Sequence, residues 1–232
     1  STPVNGLARD MGAYESSFTN YGPTNYYYVN DSFTNGDVYT RAIGVDAPGR
    51  GRNRYQPVRT LTNLFSQYDL DPGDFVFIDT GTNAYATRVP PSDADGTPSA
   101  RILFTGPTNL GRVATFRGPS AGNGIGFSNA NNVTVRAITV RGFSNGIRVT
   151  GASTNTRIEA IRAYTNFFSG VCLDGEGVDM NRVVRVSNLG RGQRNGVVIQ
   201  DGERNIVSNS VLLFNTNGVR ITASAGGSTT NN

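Results

Sequence analysis

The sequence predicts an all-β chain wound as a parallel β-helix. Three observations carry that prediction. A Gly preceded by Asn, or once by Ser, recurs at Gly124, Gly146, Gly170, Gly196 and Gly218, at spacings of 22, 24, 26 and 22 residues. Each recurrence opens a short alternating apolar run. Gly is also abundant, at 29 of 232 residues, and Asn is nearly as frequent. Both residues are poor in helix interiors and suit a chain that turns often.

A fixed period of roughly 20 to 50 residues belongs to a solenoid, a propeller or an array. The repeated runs are Ile125-Gly126-Phe127, Ile147-Arg148-Val149, Val171-Cys172-Leu173, Val197-Val198-Ile199 and Val219-Arg220-Ile221. A second strand follows about ten residues after each of the first four Gly, near Val133, Ile158, Val183 and Ile206. A third element carries a bulky residue: Phe143, Phe167 or Phe168, Leu189, and Phe214. No unit holds a run long enough for a helix, which excludes leucine-rich, ankyrin and tetratricopeptide arrays. Propeller blades need about 40 residues and four strands. One unit per coil of a parallel β-helix fits.

A single coil has too few inward apolar side chains to offset the entropy of ordering its backbone. Stacking solves this. It turns Ile125, Ile147, Val171, Val197 and Val219 into one internal column, and Phe127, Val149, Leu173, Ile199 and Ile221 into the next. The Asn before most of the Gly residues is expected to form an amide ladder. The Gly itself is expected to permit a bend with positive φ.

The first strand-like run upstream is Asp74-Phe75-Val76-Phe77-Ile78-Asp79, after the turn Asp71-Pro72-Gly73. Weaker coils follow at Ile102-Leu103-Phe104 and Val113-Ala114-Thr115-Phe116, preceded by a Pro-rich polar loop over residues 89–100. Val58, Leu61, Leu64 and Phe65 have helical spacing. A short helix there would cover the open end of the first coil, since solenoids need caps against edge pairing.

The absences exclude whole classes of chemistry. There is no His, and all 21 basic residues are Arg. Imidazole bases, Schiff-base lysines and P-loop lysines are therefore ruled out. The lone cysteine, Cys172, forbids an intrachain disulfide and a cysteine zinc site, and reads as a small buried or half-buried hydrophobe. Net charge is +4, modest for a nucleic-acid domain. No apolar run of about 18 residues is present, so no membrane-spanning helix is expected. The stretch also opens without a signal-peptide pattern.

Two segments carry a family resemblance: Tyr26-Tyr27-Tyr28-Val29-Asn30-Asp31, and residues 68–81, YDLDPGDFVFIDTG. With the repeats that follow, they resemble the start of a right-handed parallel β-helix domain of the bacterial pectate-lyase-like superfamily. The resemblance covers residues 26–222 and implies the right hand of the coil. Asp10-Met11-Gly12-Ala13-Tyr14-Glu15 resembles a different motif, one that closes such domains in large secreted bacterial proteins. A closing motif followed by an opening motif implies an excerpt across a junction, or one unit of a tandem chain. A short decorative N-terminus with a flexible tail is the plainer alternative. The expected organisation is the end of a preceding unit or a linker over 1–25, a cap region over 26–73, coils over 74–224, and a tail or linker over 225–232.

The resemblance raises polysaccharide chemistry, and the residues must carry it. Outward positions on the best strand column are Gly126, Arg148, Cys172, Val198 and Arg220, followed by Ser128, Thr150, Asp174, Gln200 and Thr222. Hydrolases need two or three clustered carboxylates, whereas this face offers Asp174, with Glu176 and Asp201 on nearby turns. Lyases of the family use an Arg or Lys base beside Asp-bound calcium. Arg148 and Arg220 are outward, but no acidic ladder flanks them. Family epimerases carry a His-containing motif that is missing here. Asp93-Ala94-Asp95-Gly96 looks like half a calcium loop and reads better as solvated. Asp69, Asp71 and Asp74 read as turn and capping residues. No catalytic residue, metal or cofactor is expected.

The favoured expectation is a non-enzymatic structural or adhesive segment of an extracellular or cell-surface β-helical repeat protein, with end-to-end stacking into fibres. Its partners would be copies of itself or neighbouring units of the same chain. The alternative is an acidic-polysaccharide-binding or lyase-like module, with Arg148 and Arg220 holding uronate carboxylates. Nucleic acid is not an expected partner, because aromatics do not interleave with the arginines on one face.

Overall fold

Alternation dictates strands, and their spacing places consecutive strands in different sheets. The computed structural model describes residues 24–84, 95–109, 111–189 and 192–224, with residues 229 and 232. The chain enters on β1 (Tyr26–Val29) and passes through helix α1 (Leu61–Gln67), β2 (Phe75–Ile78), β3 (Gly81–Ala84), β4 (Ile102–Thr105) and β5 (Ala114–Arg117). Regular coils follow. The first is β6 (Asn123–Ser128), β7 (Val133–Arg136) and β8 (Ile138–Arg141). The second is β9 (Asn145–Thr150), β10 (Arg157–Glu159) and β11 (Arg162–Tyr164). The third is β12 (Ser169–Asp174), β13 (Arg182–Val184) and β14 (Ser187–Leu189). The fourth is β15 (Asn195–Gln200), β16 (Ile206–Ser208) and β17 (Val211–Leu213), and β18 (Asn217–Thr222) begins a fifth.

These strands form three parallel sheets. The seven-stranded sheet runs β1-β2-β4-β7-β10-β13-β16, the six-stranded sheet β17-β14-β11-β8-β5-β3, and the five-stranded sheet β18-β15-β12-β9-β6. The result is a right-handed parallel β-helix of about five turns, the hand that parallel crossovers take.

The predicted columns are present. Ile125, Ile147, Val171 and Val197 are in register and buried, as are Phe127, Val149, Leu173 and Ile199. The seven-stranded sheet adds Tyr27, Val76, Phe104, Val135, Ile158 and Val183 as a third column. The six-stranded sheet contributes Phe116, Val140 and Ala163, and then the buried amide of Asn188.

The expected helix is α1. Thr60 caps it by accepting the Asn63 N–H at 3.1 Å, and Leu61 and Leu64 are buried. The segment leading into it closes the outer edge of β1. Tyr28 N–H donates to Gly51 O at 2.7 Å, Val58 N–H to Tyr28 O at 3.1 Å, and Asn30 N–H to Val58 O at 3.0 Å. The region expected as a cap thus also supplies the first strand, since β1 pairs in parallel with β2.

Two expectations change. The repeated Gly residues lie inside strands, and none takes a positive φ. Their role is close approach. A Cβ on Gly124, Gly146 or Gly196 would sit 2.5 Å from the carbonyl oxygen of the matching Gly in the next coil. The left-handed corner conformations fall to other residues, among them Asn132, Ala137, Asn155, Ala160 and Arg185. The bulky residues Phe143, Phe167 and Phe214 also lie outside the strands, whereas Leu189 ends β14. Phe143 fills the corner after β8, where a Cβ on Gly118 would meet its ring at 2.2 Å. Phe167 and Phe214 are exposed at equivalent corners. The DxGAYE segment, Asp93-Ala94 of the half calcium loop, residues 89–94 of the 89–100 loop and most of the 225–232 tail lie outside the described residues.

Candidate functional site

The five-stranded sheet has the longest strands, six residues each, and its outer face is the first place to look for a site. Register puts Gly126, Arg148, Cys172, Val198 and Arg220 in one row across it. Strand pairs lie about 4.8 Å apart, so Arg148 and Arg220 stand about 14 Å from each other. Arg148 is ion-paired with Asp174 of the next coil. Arg220 is exposed on the last strand.

Cys172 and Val198 point outward yet are buried. They lie in register between Arg148 and Arg220. Burial, then the nearby Asp174 charge, pushes the Cys172 thiol up to about 12. It is therefore a protonated, inert thiol at neutral pH.

The carboxylates near this face are committed to structure. Asp174 holds Arg148. Asp201 accepts the Ser224 N–H and hydroxyl, and those bonds, the hydroxyl first, hold its carboxyl below the ordinary value. Asp179 accepts the Glu203 N–H at 2.8 Å and pairs with Arg204 at 4.0 Å. Glu176 is exposed on the turn after β12. Among the described residues no three His, Cys, Asp or Glu side chains come together as a metal site.

The acidic residues near the N-terminal coils are also structural. Asp74 accepts the N–H groups of Asn25 at 2.8 Å and Asp71 at 2.9 Å, which fastens the turn before β2. Burial raises its carboxyl above the ordinary value. Asp95 accepts from the Asn131 backbone and side chain at 2.7 and 3.1 Å. The sequence reading did not single out Asp79. Its buried carboxylate accepts the N–H groups of Val38, Tyr39, Thr40 and Thr80 at 2.6–2.8 Å and the Thr40 hydroxyl at 2.8 Å. Asp37 sits beside it, raised by burial first and then by the Asp79 charge.

The corners carry the predicted amide ladder and two further ones. Asn145 donates to Asn123 Oδ1 at 3.1 Å, Ser169 to Asn145 Oδ1 at 2.7 Å, and Asn217 to Asn195 Oδ1 at 2.8 Å. The ladder breaks once, where Asn195 donates to Phe168 O instead. A second ladder runs through Thr156, Asn181, Asn205 and Asn232, each N–H donating to the next Asn Oδ1 at 2.7–3.0 Å. A third joins Phe143, Asn166 and Gln193, whose amide reaches Asn215. Spacings of 24 and 27 residues between Asn181, Asn205 and Asn232 were the signal available for the second ladder.

No protein-family model and no curated protein sequence matches the chain. Among solved structures it is similar to a rhamnogalacturonan lyase, with a TM-score of 0.56 and 14% sequence identity. The likeness covers 87% of this chain, which spans 62% of that chain's length. No helix among the described residues is long and apolar enough to cross a membrane. What the chain shares with that lyase is its parallel β-helix fold.

Proposed function

We propose that the chain is a non-enzymatic structural or adhesive segment of an extracellular β-helical repeat protein, built to carry a further coil on its β16–β18 end. One observation carries this reading. The last coil keeps the apolar columns and the close-approach Gly of the earlier ones, and among the described residues no strand pairs with its outer edge. Val219 and Ile221 continue the two internal columns, yet stand 44% and 46% exposed. Gly218 repeats the close-approach Gly, yet a Cβ there would meet nothing nearer than 3.9 Å. Val207 and Leu212 continue the inward positions of the other two sheets and are only partly buried. The partner is a parallel coil of the same kind, from a copy or from a neighbouring unit.

Sedimentation velocity on the chain tests this. Concentration-dependent association is expected, and Val219→Asp with Ile221→Asp abolishes it. A chain that stays monomeric at every concentration reached overturns stacking between copies.

A second reading is an acidic-polysaccharide-binding or lyase-like module. The solved structure sharing this fold is named for a lyase of rhamnogalacturonan. Arg220 is exposed and open to a uronate carboxylate, and Arg148 joins it if its pair with Asp174 opens. Ultraviolet-absorbing unsaturated product from pectate would replace the first reading with a lyase. Binding without product that weakens in Arg148→Ala and Arg220→Ala variants would support a binding module.

A further inference from the structure

We propose that the corner between the seven- and six-stranded sheets holds a binding groove for a carboxylate-bearing polysaccharide. The groove is separate from the Arg148 and Arg220 face. It deepens the second reading above and rests on it.

The corner is built differently in one coil. Later coils pass from the seven- to the six-stranded sheet through one or two residues, such as Ala137 between β7 and β8. Between β4 and β5 the chain instead takes residues 106–113. Gly106 lets this loop leave tight against the next corner, because a Cβ there would sit 2.2 Å from Ala137 O. The loop overhangs the corner and leaves a groove of about 240 Å³. Its polar lining is Thr108, Asn109, Arg112, Thr139 and Arg162, with no carboxylate.

The same sheet face carries more positive charge. Arg162 lies in register with Thr139, and the next outward column runs Arg117, Arg141, Tyr164. None of Arg112, Arg117, Arg141 and Arg162 has a carboxylate partner among the described residues. Elsewhere Arg148, Arg157, Arg185 and Arg204 each do. The buried Arg141 Nε has no hydrogen-bond partner, and the guanidinium lies 5.7 Å over the Tyr164 ring. Arg117, Arg141 and Arg162 on this face, with Arg112 on the loop beside it, make an anion site.

The groups point to uronates over phosphates. A guanidinium fork matches a carboxylate in two parallel hydrogen bonds. Thr108, Asn109 and Thr139 offer hydroxyl and amide groups that complement sugar hydroxyls. Sequence-tolerant nucleic-acid channels need several aromatic platforms between the cations. This face has Tyr164, already under Arg141.

Titration calorimetry with polygalacturonate, its methyl ester and single-stranded DNA tests the proposal. Polygalacturonate is expected to bind and the neutral ester is not. Arg112→Ala with Arg162→Ala weakens binding about 100-fold, roughly tenfold for each charge-assisted pair removed. Arg112→Glu alone, in the loop, gives the same loss without touching a strand, and circular dichroism checks the fold of each variant. Binding that the groove variants leave intact overturns this site while the second reading stands. No binding of any polyuronate overturns both. DNA binding at equal strength, lost in the same variants, overturns the choice of ligand.

Discussion

Cys172 and Tyr27 make the molecule sensitive to alkali at defined positions. Burial raises the Cys172 thiol from 9.0 to about 12, and the Tyr27 phenol from 10.0 to about 12. Both groups are neutral in the folded state at pH values where they ionise in the unfolded chain. Their contribution is complete below pH 9 and pH 10 respectively, and is lost as pH rises towards 12. Chemical denaturation between pH 8 and 12 should show stability falling across that window. Cys172→Ala should flatten the early part of the fall and Tyr27→Phe the later part; a slope unchanged in both variants overturns the assignment. Iodoacetamide at pH 8 should label Cys172 only after unfolding, and rapid native labelling would contradict its burial. The burial of Cys172 was legible from its place in an apolar run. The burial of Val198, at an outward position, was not, because the alternation within a strand carries no information on its neighbours in register.

At the scale of the elements, the repeat was legible because each strand must present the same face to the coil above and below. A period of about two dozen residues therefore survives in the apolar positions and in the Asn-Gly pairs. The interpretation of Gly as a turn residue failed for a related reason. Close approach between coils and positive φ both demand Gly, and one sequence cannot separate them. The geometry does. Gly146→Ala would force a Cβ to 2.5 Å from Gly170 O and 2.8 Å from the Val140 side chain. Overpacking of that kind costs about 3 kcal/mol, which lowers Tm by about 10 °C in a chain of this size. Ala160→Gly, at a corner with φ 52°, should instead be neutral or slightly stabilising. Calorimetric melting of the two variants separates the two uses of small residues, and equal losses would contradict the assignment. The arginine groove was not legible at all. Its arginines are spread from 112 to 162, and only the long corner over 106–113 brings them beside a cavity.

Over the whole molecule the two ends differ, and the difference sets where it opens. At one end residues 51–58 close the edge of β1 with backbone hydrogen bonds, and α1 packs beneath. At the other, no strand among the described residues pairs with the outer edges of β16, β17 and β18, and Val219 and Ile221 are half-exposed. A solenoid's stability is a sum of coil and interface terms, so a coil with one interface is the first to fray. Native-state hydrogen exchange should show protection highest in β7–β12 and lowest in β16–β18, and uniform protection would overturn this. Gly218→Ala then distinguishes a bare end from a docking surface. No atom comes closer than 3.9 Å to the added Cβ, so Tm should stay within about 1 °C of the native chain. In the earlier coils the equivalent Cβ meets a carbonyl oxygen of the next coil, at 2.5 Å for Gly196. The same Ala must therefore block any parallel coil that stacks on β18. An unchanged melting point with association lost assigns the end to stacking; an unchanged melting point with association retained assigns the contact to another surface.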